Sequence, residues 1–250
     1  MPPTDGSDIS SQLSRLLRVL AKPTTPRLLP PVTDMLVELS HHTPSRALAA
    51  LLRACHRWPL SALLPRVLAA SGRETAAIVS STVALTTLHS GVADNVLPRT
   101  ATLGFNTRLL PGTSGQELRQ YFEAAARTAG VEAQVTLTES TAWPASRVSD
   151  CRGVHFGLLK QAIQEGWTYG GRPIPVAPFL LTGGTDSKHY APISRHGILR
   201  FVPYALSKSG GDLGRIHSAN ERVHASHYRA AQCSYGRMLE LFGALGEQQA

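Results

Sequence analysis

The 250-residue sequence predicts an α/β chain. Its first part is an α+β sandwich, a sheet covered by helices on one face and interrupted by a helical insert; an α/β segment follows. Three observations predict this. Apolar residues recur at helical spacing up to residue 72, and Thr/Val-rich alternation then takes over. The order helix, insert, strand, strand, helix, strand accounts for residues up to 137. Beyond residue 150, helices and strands alternate singly. A boundary is therefore expected at 139–150, just after or around Trp143-Pro144, between a domain of residues 1–138 with its insert at about 27–72 and a domain of residues 139–250.

The first helix is expected over residues 5–20. Leu13, Leu16, Leu17 and Leu20 share a face, Asp5 or Ser7 can cap it, and Pro23 and Pro26 stop it. Three proline-separated helices follow at 32–39, 45–55 and 60–70. Strands are expected at 81–89 and 101–109, joined by the loop Ser90-Gly91-Val92-Ala93-Asp94-Asn95. Ser114 and Glu117 have capping-box spacing before a helix whose apolar face is Leu118, Tyr121, Phe122 and Ala125, and Gly130 ends it. A strand at 131–137 follows. The second part is expected to contain a helix at 151–165, strands at 175–181 and 198–202 around a glycine turn and short helix, and a long helix at 221–245.

Composition narrows the function. The formal net charge is +8, but the basic residues are mostly Arg and scattered, without a run of five or six like charges. Nucleic-acid binders gather their cations into a patch or arm, so nucleic acid is not an expected partner. Cys55, Cys151 and Cys233 are odd in number and lack CxxC spacing, against a disulfide framework or a thiolate zinc site. No signal peptide is visible. The most apolar stretch, 47–70, is broken by Arg53, His56, Arg57, Pro59, Pro65 and Arg66, so no membrane span is expected. The compartment is not fixed by these features and is cytoplasmic by default.

Three constellations can carry chemistry. Gly183-Gly184-Thr185-Asp186-Ser187-Lys188-His189-Tyr190 follows an apolar run; its glycines let a backbone approach a ligand, and Thr185 or Asp186 can cap a helix. His217-Ser218-Ala219-Asn220-Glu221-Arg222-Val223 has a second capping-box spacing and a histidine able to ligate a metal. Asn95-Val96-Leu97-Pro98 precedes Phe105-Asn106-Thr107-Arg108, where Asn95 can shape a turn and Arg108 can alternate to solvent. The pairs His41/His42 and His224/His227 have no evident carboxylate partner and read as surface residues.

In order and spacing, NVLPRTATLGFNTRLLPG, GGTDSKHY and HSANERV resemble the motifs of one family. It is the co-catalytic zinc metallopeptidases of the carboxypeptidase S, aminoacylase, acetylornithine deacetylase and succinyl-diaminopimelate desuccinylase type. The helical insert is similar to that of the carboxypeptidase S and N-acyl-amino-acid hydrolase subgroup. The resemblance implies that the first domain is a lid, or dimerisation, domain and the second is the C-terminal part of a catalytic domain. It implies His217 as the last zinc ligand of a two-zinc centre and Gly183, Gly184 and Thr185 as the lining of the substrate site. Lys188, with His189 beside it, stands where the family has an Arg that holds the substrate carboxylate. Asn95 matches a lid residue that polarises the scissile carbonyl, and Arg108 a lid arginine near the same site. The implied substrate is a small peptide or N-acyl-amino acid, and the implied partner a second copy joined through the lid sheet.

The sequence also departs from that family. Lys188 replaces Arg and cannot make a planar bidentate contact. The family's HxD motif, bridging acid and Glu-Glu base pair do not occur here, and Met1-Pro2-Pro3 resembles the segment just after a lid histidine. A hydrolytic zinc site needs about three or four protein ligands. The expectation is a C-terminal fragment of a zinc-dependent carboxypeptidase or amidohydrolase, at most a weak zinc binder and inactive alone. The alternative expectation is a non-catalytic dimerisation protein built on the lid.

Overall fold

The computed structural model describes residues 5–22, 24–138, 147–207 and 209–247. In chain order they form α1 (Ile9–Leu20), α2 (Pro30–Ser40), α3 (Arg46–Arg53), α4 (Leu60–Ser71) and α5 (Arg73–Ala77). The hairpin strands β1 (Thr82–Ser90) and β2 (Ala101–Arg108) follow, then α6 (Gly115–Ala129) and α7 (Val154–Gly166). A two-residue hairpin, β3 (Thr168–Tyr169) and β4 (Arg172–Pro173), precedes α8 (Ser187–Tyr190), and α9 (Ala225–Glu247) is the last helix. The fold is mixed helix and strand with small sheets.

The chain divides into two compact units. The first comprises Met1–Thr33, Ala54–Arg147 and Leu180–Gly184; the second comprises Asp34–Arg53, Val148–Phe179 and Thr185–Ala250. Of the expected boundary at 139–150, residues 139–146 lie outside the described residues.

In the first unit, β1 and β2 pair antiparallel from Thr82↔Arg108 to Ser90↔Ala101. The register slips between Leu85 and Thr87. Thr86 is the extra residue of this bulge and donates its hydroxyl to the Gly104 carbonyl oxygen at 3.1 Å. Gly104 is needed there, because a Cβ would stand 2.2 Å from the Thr87 hydroxyl. Leu16 and Leu20 of α1 bury against Ala125, Ala126 and Ala129 of α6, and Leu103, Phe105 and Phe122 pack on that cluster. The Phe105 and Phe122 rings lie 5.0 Å apart. Two helices thus cover one face of the hairpin, and the alternation in β2 places Leu103 and Phe105 on that face.

Helix ends obey local chemistry. Ser114 and Glu117 close a capping box: the Glu117 amide donates to the Ser114 hydroxyl at 3.1 Å, and the Ser114 amide to the Glu117 carboxylate at 2.6 Å. Gly130 ends α6 in the left-handed region at φ 63°. The cap of α1 is Asp8, not Asp5 or Ser7; its carboxylate accepts from the Ser11 amide at 3.0 Å. Asp5 instead accepts from the Ser7 amide within a turn.

In the second unit, α7 and α9 pack closely. Ser234 of α9 is buried, accepts the Trp167 indole N–H at 3.0 Å and donates to the Ala230 carbonyl oxygen at 2.9 Å. Gly166 makes room for it, since a Cβ there would lie 2.4 Å from the Ser234 hydroxyl. Two ion pairs tie the end of α2 to this unit. Asp34 takes the Arg152 guanidinium bidentately at 2.6 and 3.1 Å, and Glu38 takes the Lys160 ammonium at 2.7 Å. Arg152 holds the Asp34 carboxyl below its usual range, and Lys160 does the same for Glu38. Burial, and then the hydrogen bond to Asp34, push the Cys151 thiol up to about 11, so it stays protonated at neutral pH. None of the three cysteines forms a disulfide.

Three expected strands form no ladder: 131–137, 175–181 and 198–202 carry no strand pairing among the described residues. A strand is stable only when a neighbour takes its amides and carbonyls, and alternation in one segment does not supply that neighbour. The last helix starts at Ala225 rather than 221. Its expected capping box is a turn instead: His217 and Asn220 adopt left-handed φ of 57° and 61°, and the His217 amide donates to the Glu221 carboxylate at 3.3 Å. No described helix is long and apolar enough to cross a membrane.

Candidate functional site

The glycine turn and Arg108 are brought together within the first unit. Arg108 ends β2, and its Nη1 donates to the Thr182 carbonyl oxygen at 2.7 Å. These residues are 74 apart in sequence. A Cβ on Gly183 would lie 4.0 Å from the same Nη1. The alternation that sends Arg108 out of the hairpin therefore aims it at the turn rather than into open solvent.

Gly183 and Gly184 have no internal reason to be glycine. Neither adopts a positive φ. A Cβ at Gly184 would meet nothing within 4 Å, and one at Gly183 only an ordinary contact. A bare backbone at an uncrowded turn leaves main-chain amides open to an approaching group.

The second unit takes over at Thr185. Its hydroxyl lies 2.5 Å from the Ser187 hydroxyl and accepts from the Ser187 amide at 3.3 Å. The Lys188 amide donates to the Thr185 carbonyl oxygen at 3.2 Å, and the His189 amide to that of Asp186 at 3.0 Å. Lys188 and His189 therefore ride on the short helix α8, with Lys188 half-buried and His189 exposed. The side chain of Asp186 makes no cap; Thr185 does that work.

The sequence did not single out Arg200. It is a lone cation in the apolar run Ile198-Leu199-Arg200-Phe201-Val202, and that isolation was the available signal. Its Nε donates to the Ser187 hydroxyl at 2.6 Å, which joins it to the Thr185 turn.

Asn95 and His217 lie elsewhere in their own units. Asn95 is exposed on the connection between β1 and β2, and its side chain makes no hydrogen bond among the described residues. His217 is exposed in its left-handed turn. Among the described residues no three His, Cys, Asp or Glu side chains converge to hold a metal ion. A zinc centre takes about three or four such donors. The donors described around His217 do not fit one.

Residues 34–134 match the peptidase dimerisation domain of the M20 family. An N-fatty-acyl-amino acid synthase/hydrolase of Xenopus tropicalis is 36% identical over 166 residues, 66% of this chain and 30% of that protein. A probable carboxypeptidase S-like protein of Dictyostelium discoideum is 29% identical over 173 residues, 69% of this chain and 31% of that protein. Residues 34–134 belong to the M20 peptidase dimerisation domain family. An M20 metallo-carboxypeptidase from Sulfolobus solfataricus shares the fold, with a TM-score of 0.51, 14% identity, and coverage of 94% of this chain and 52% of that one. The chain thus matches under a third of the length of those two curated relatives. The two curated relatives carry the names of an N-fatty-acyl-amino acid synthase/hydrolase and a carboxypeptidase S-like protein, and the solved structure is that of a metallo-carboxypeptidase.

Proposed function

We propose that this chain is the substrate-gripping, C-terminal part of a hydrolase that cleaves peptide or N-acyl-amino-acid amide bonds next to a free carboxylate. The observation that carries this is the meeting of Arg108 with the Gly183-Gly184 turn, whose glycines are not demanded by packing or by φ. In the first unit, Arg108 and the main-chain amides at 183–184 offer donors to the acyl group; in the second unit, Thr185, Lys188 and His189 offer polar groups to the rest of the substrate. Asn95 donates to the scissile carbonyl oxygen as it becomes an oxyanion. His217 stands where the resemblance puts a zinc-ligating imidazole, and the described residues do not complete a group of three donors around it. The chain alone is then inactive.

The relatives' printed activities favour an N-acyl-amino acid or a peptide with a free C-terminus as substrate. The matched dimerisation domain favours a homodimer through the β1–β2 sheet, where Leu85 and Leu88 are exposed. Purified chain is expected to bind an N-acyl-amino acid, to retain little zinc after dialysis and to release no amino acid from it. Tight binding of two zinc ions with turnover would overturn the incomplete centre. On the dimer, Leu88→Glu should shift the mass measured by light scattering from dimer to monomer; an unchanged mass would remove the sheet as the interface.

A second reading is a non-catalytic dimerisation protein. The lack of a converging metal-donor group among the described residues favours it. It expects the dimer without any binding of N-acyl-amino acids.

A further inference from the structure

We propose that Arg200 is the residue that grips the substrate carboxylate, in the role for which Lys188 is a poor replacement. The inference rests on the proposed reading of residues 183–190 as the substrate loop, and it names the specificity determinant of that loop.

The geometry supplies a preorganised guanidinium. Arg200 is anchored by one edge only: its Nε donates to the Ser187 hydroxyl at 2.6 Å, and that hydroxyl lies 2.5 Å from the Thr185 hydroxyl. Among the described residues no carboxylate pairs with Arg200, and its terminal nitrogens make no further hydrogen bond. Arg200 is exposed, so those nitrogens face solvent and can receive an anion. A guanidinium presents parallel N–H groups that match a carboxylate's two oxygens, which an ammonium does not.

The backbone under Arg200 is fixed on both sides. The Ile198 amide donates to the Ser149 hydroxyl at 2.9 Å, and that hydroxyl lies 2.8 Å from the Ile198 carbonyl oxygen. The Tyr235 hydroxyl donates to the Phe201 carbonyl oxygen at 3.3 Å. An arginine held at its base and at Nε loses little freedom when an anion docks, which favours binding. Ser187 serves as a positioning residue that aims the fork.

The test compares the full-length chain with N-octanoylglycine and with its uncharged primary amide, N-octanoylglycinamide, by calorimetry or ligand-observed NMR. Wild type should bind the acid at least tenfold tighter than the amide. Arg200→Gln should bring the two affinities within about twofold of each other. Arg200→Lys should restore only part of the preference, and Ser187→Ala should reduce it several-fold with Arg200 still present. Lys188→Gln should keep most of the preference. Circular dichroism and thermal melting of each variant confirm the fold. If Arg200→Gln keeps the wild-type ratio while Lys188→Gln loses it, the role belongs to Lys188 and this inference fails alone. If wild type shows no preference, or binds neither compound, the substrate-loop reading fails and takes this inference with it.

Discussion

The hairpin region at 82–108 and the segment at 175–202 both carry apolar, strand-like stretches, and they end differently. In the hairpin, β1 and β2 complete each other, and Leu103 and Phe105 pack on the α1–α6 cluster. In the later segment the chain is held by single hydrogen bonds, such as those between Ser149 and Ile198. Several of its apolar side chains stay out: Phe179, Ile193 and Val202 are 62%, 79% and 61% exposed. The difference teaches that alternation sets a segment's preferred conformation, whereas a partner within about 5 Å decides whether it becomes a sheet. A hairpin brings its partner through a short connection; residues 175–202 have no such neighbour among those described.

The largest effect should come from cutting into the buried cluster of the first region. Leu20→Ala removes a side chain only 7% exposed, packed with Leu16, Ala125, Ala126 and Ala129. We expect a loss of about 2–5 kcal/mol in urea unfolding. Val202→Ala, in the later segment, should change stability by less than about 0.5 kcal/mol, as at other exposed sites. Similar losses at the two positions would break the comparison, because they would mean that Val202 is buried in solution.

A smaller effect sharpens the comparison from the other side, since the second unit has one close-packed contact. Gly166→Ala drives a methyl group into the Ser234 hydroxyl and disturbs its bond to Trp167. The expected cost is about 1–3 kcal/mol, with the Trp167 emission altered. Adding Ser234→Ala should recover part of that cost; an additive double variant would show that the two residues do not touch. Smaller again is Ser114→Ala. It breaks the capping box of α6 at a cost of about 1 kcal/mol. Urea unfolding would measure it, and a neutral result would mean the α6 start frays without consequence for the core beneath.

What the sequence revealed follows the same division. The helices bounded by α1, α4, α6 and α7, and both strands of the hairpin, were legible because their signals are local: apolar spacing, Ser114 with Glu117, Gly130, the prolines. The cap of α1 was misplaced by one turn, because Asp5, Ser7 and Asp8 all offer a short polar side chain and only the chain path selects Asp8. The Ser218–Glu221 spacing misled for a related reason. Two left-handed residues, His217 and Asn220, turn the same pair into a loop closure. The contact of Arg108 with Thr182 and the tie of Arg200 to Ser187 depend on tertiary approach, so no local pattern could show them. Family motifs pointed to the neighbourhood of the first and were silent on the second.

The smallest effect concerns the ion pairs that tie Asp34 to Arg152, just before α7, and Glu38 to Lys160 within it. Arg152 lowers the Asp34 carboxyl below its ordinary 3.8, and Lys160 lowers Glu38 below its ordinary 4.5. In the window between the lowered and ordinary values, the unfolded chain binds more protons than the folded one. Stability therefore rises with pH across that window. The contribution is fully present above the ordinary values and is lost as pH falls through the lowered ones. The double variant Asp34→Asn/Glu38→Gln should have a lower urea midpoint than wild type at pH 7. The gap should narrow as pH falls from about 5 toward about 2, where the wild-type carboxyls are protonated too. High salt should also shrink the gap, because Arg152 is exposed and its attraction to Asp34 is screened. A gap of constant size from acid to neutral pH would show that these side chains hold α2 by shape and neutral hydrogen bonds. In that case charge would have no part in holding the 34–53 segment against residues 148–179 within the second unit.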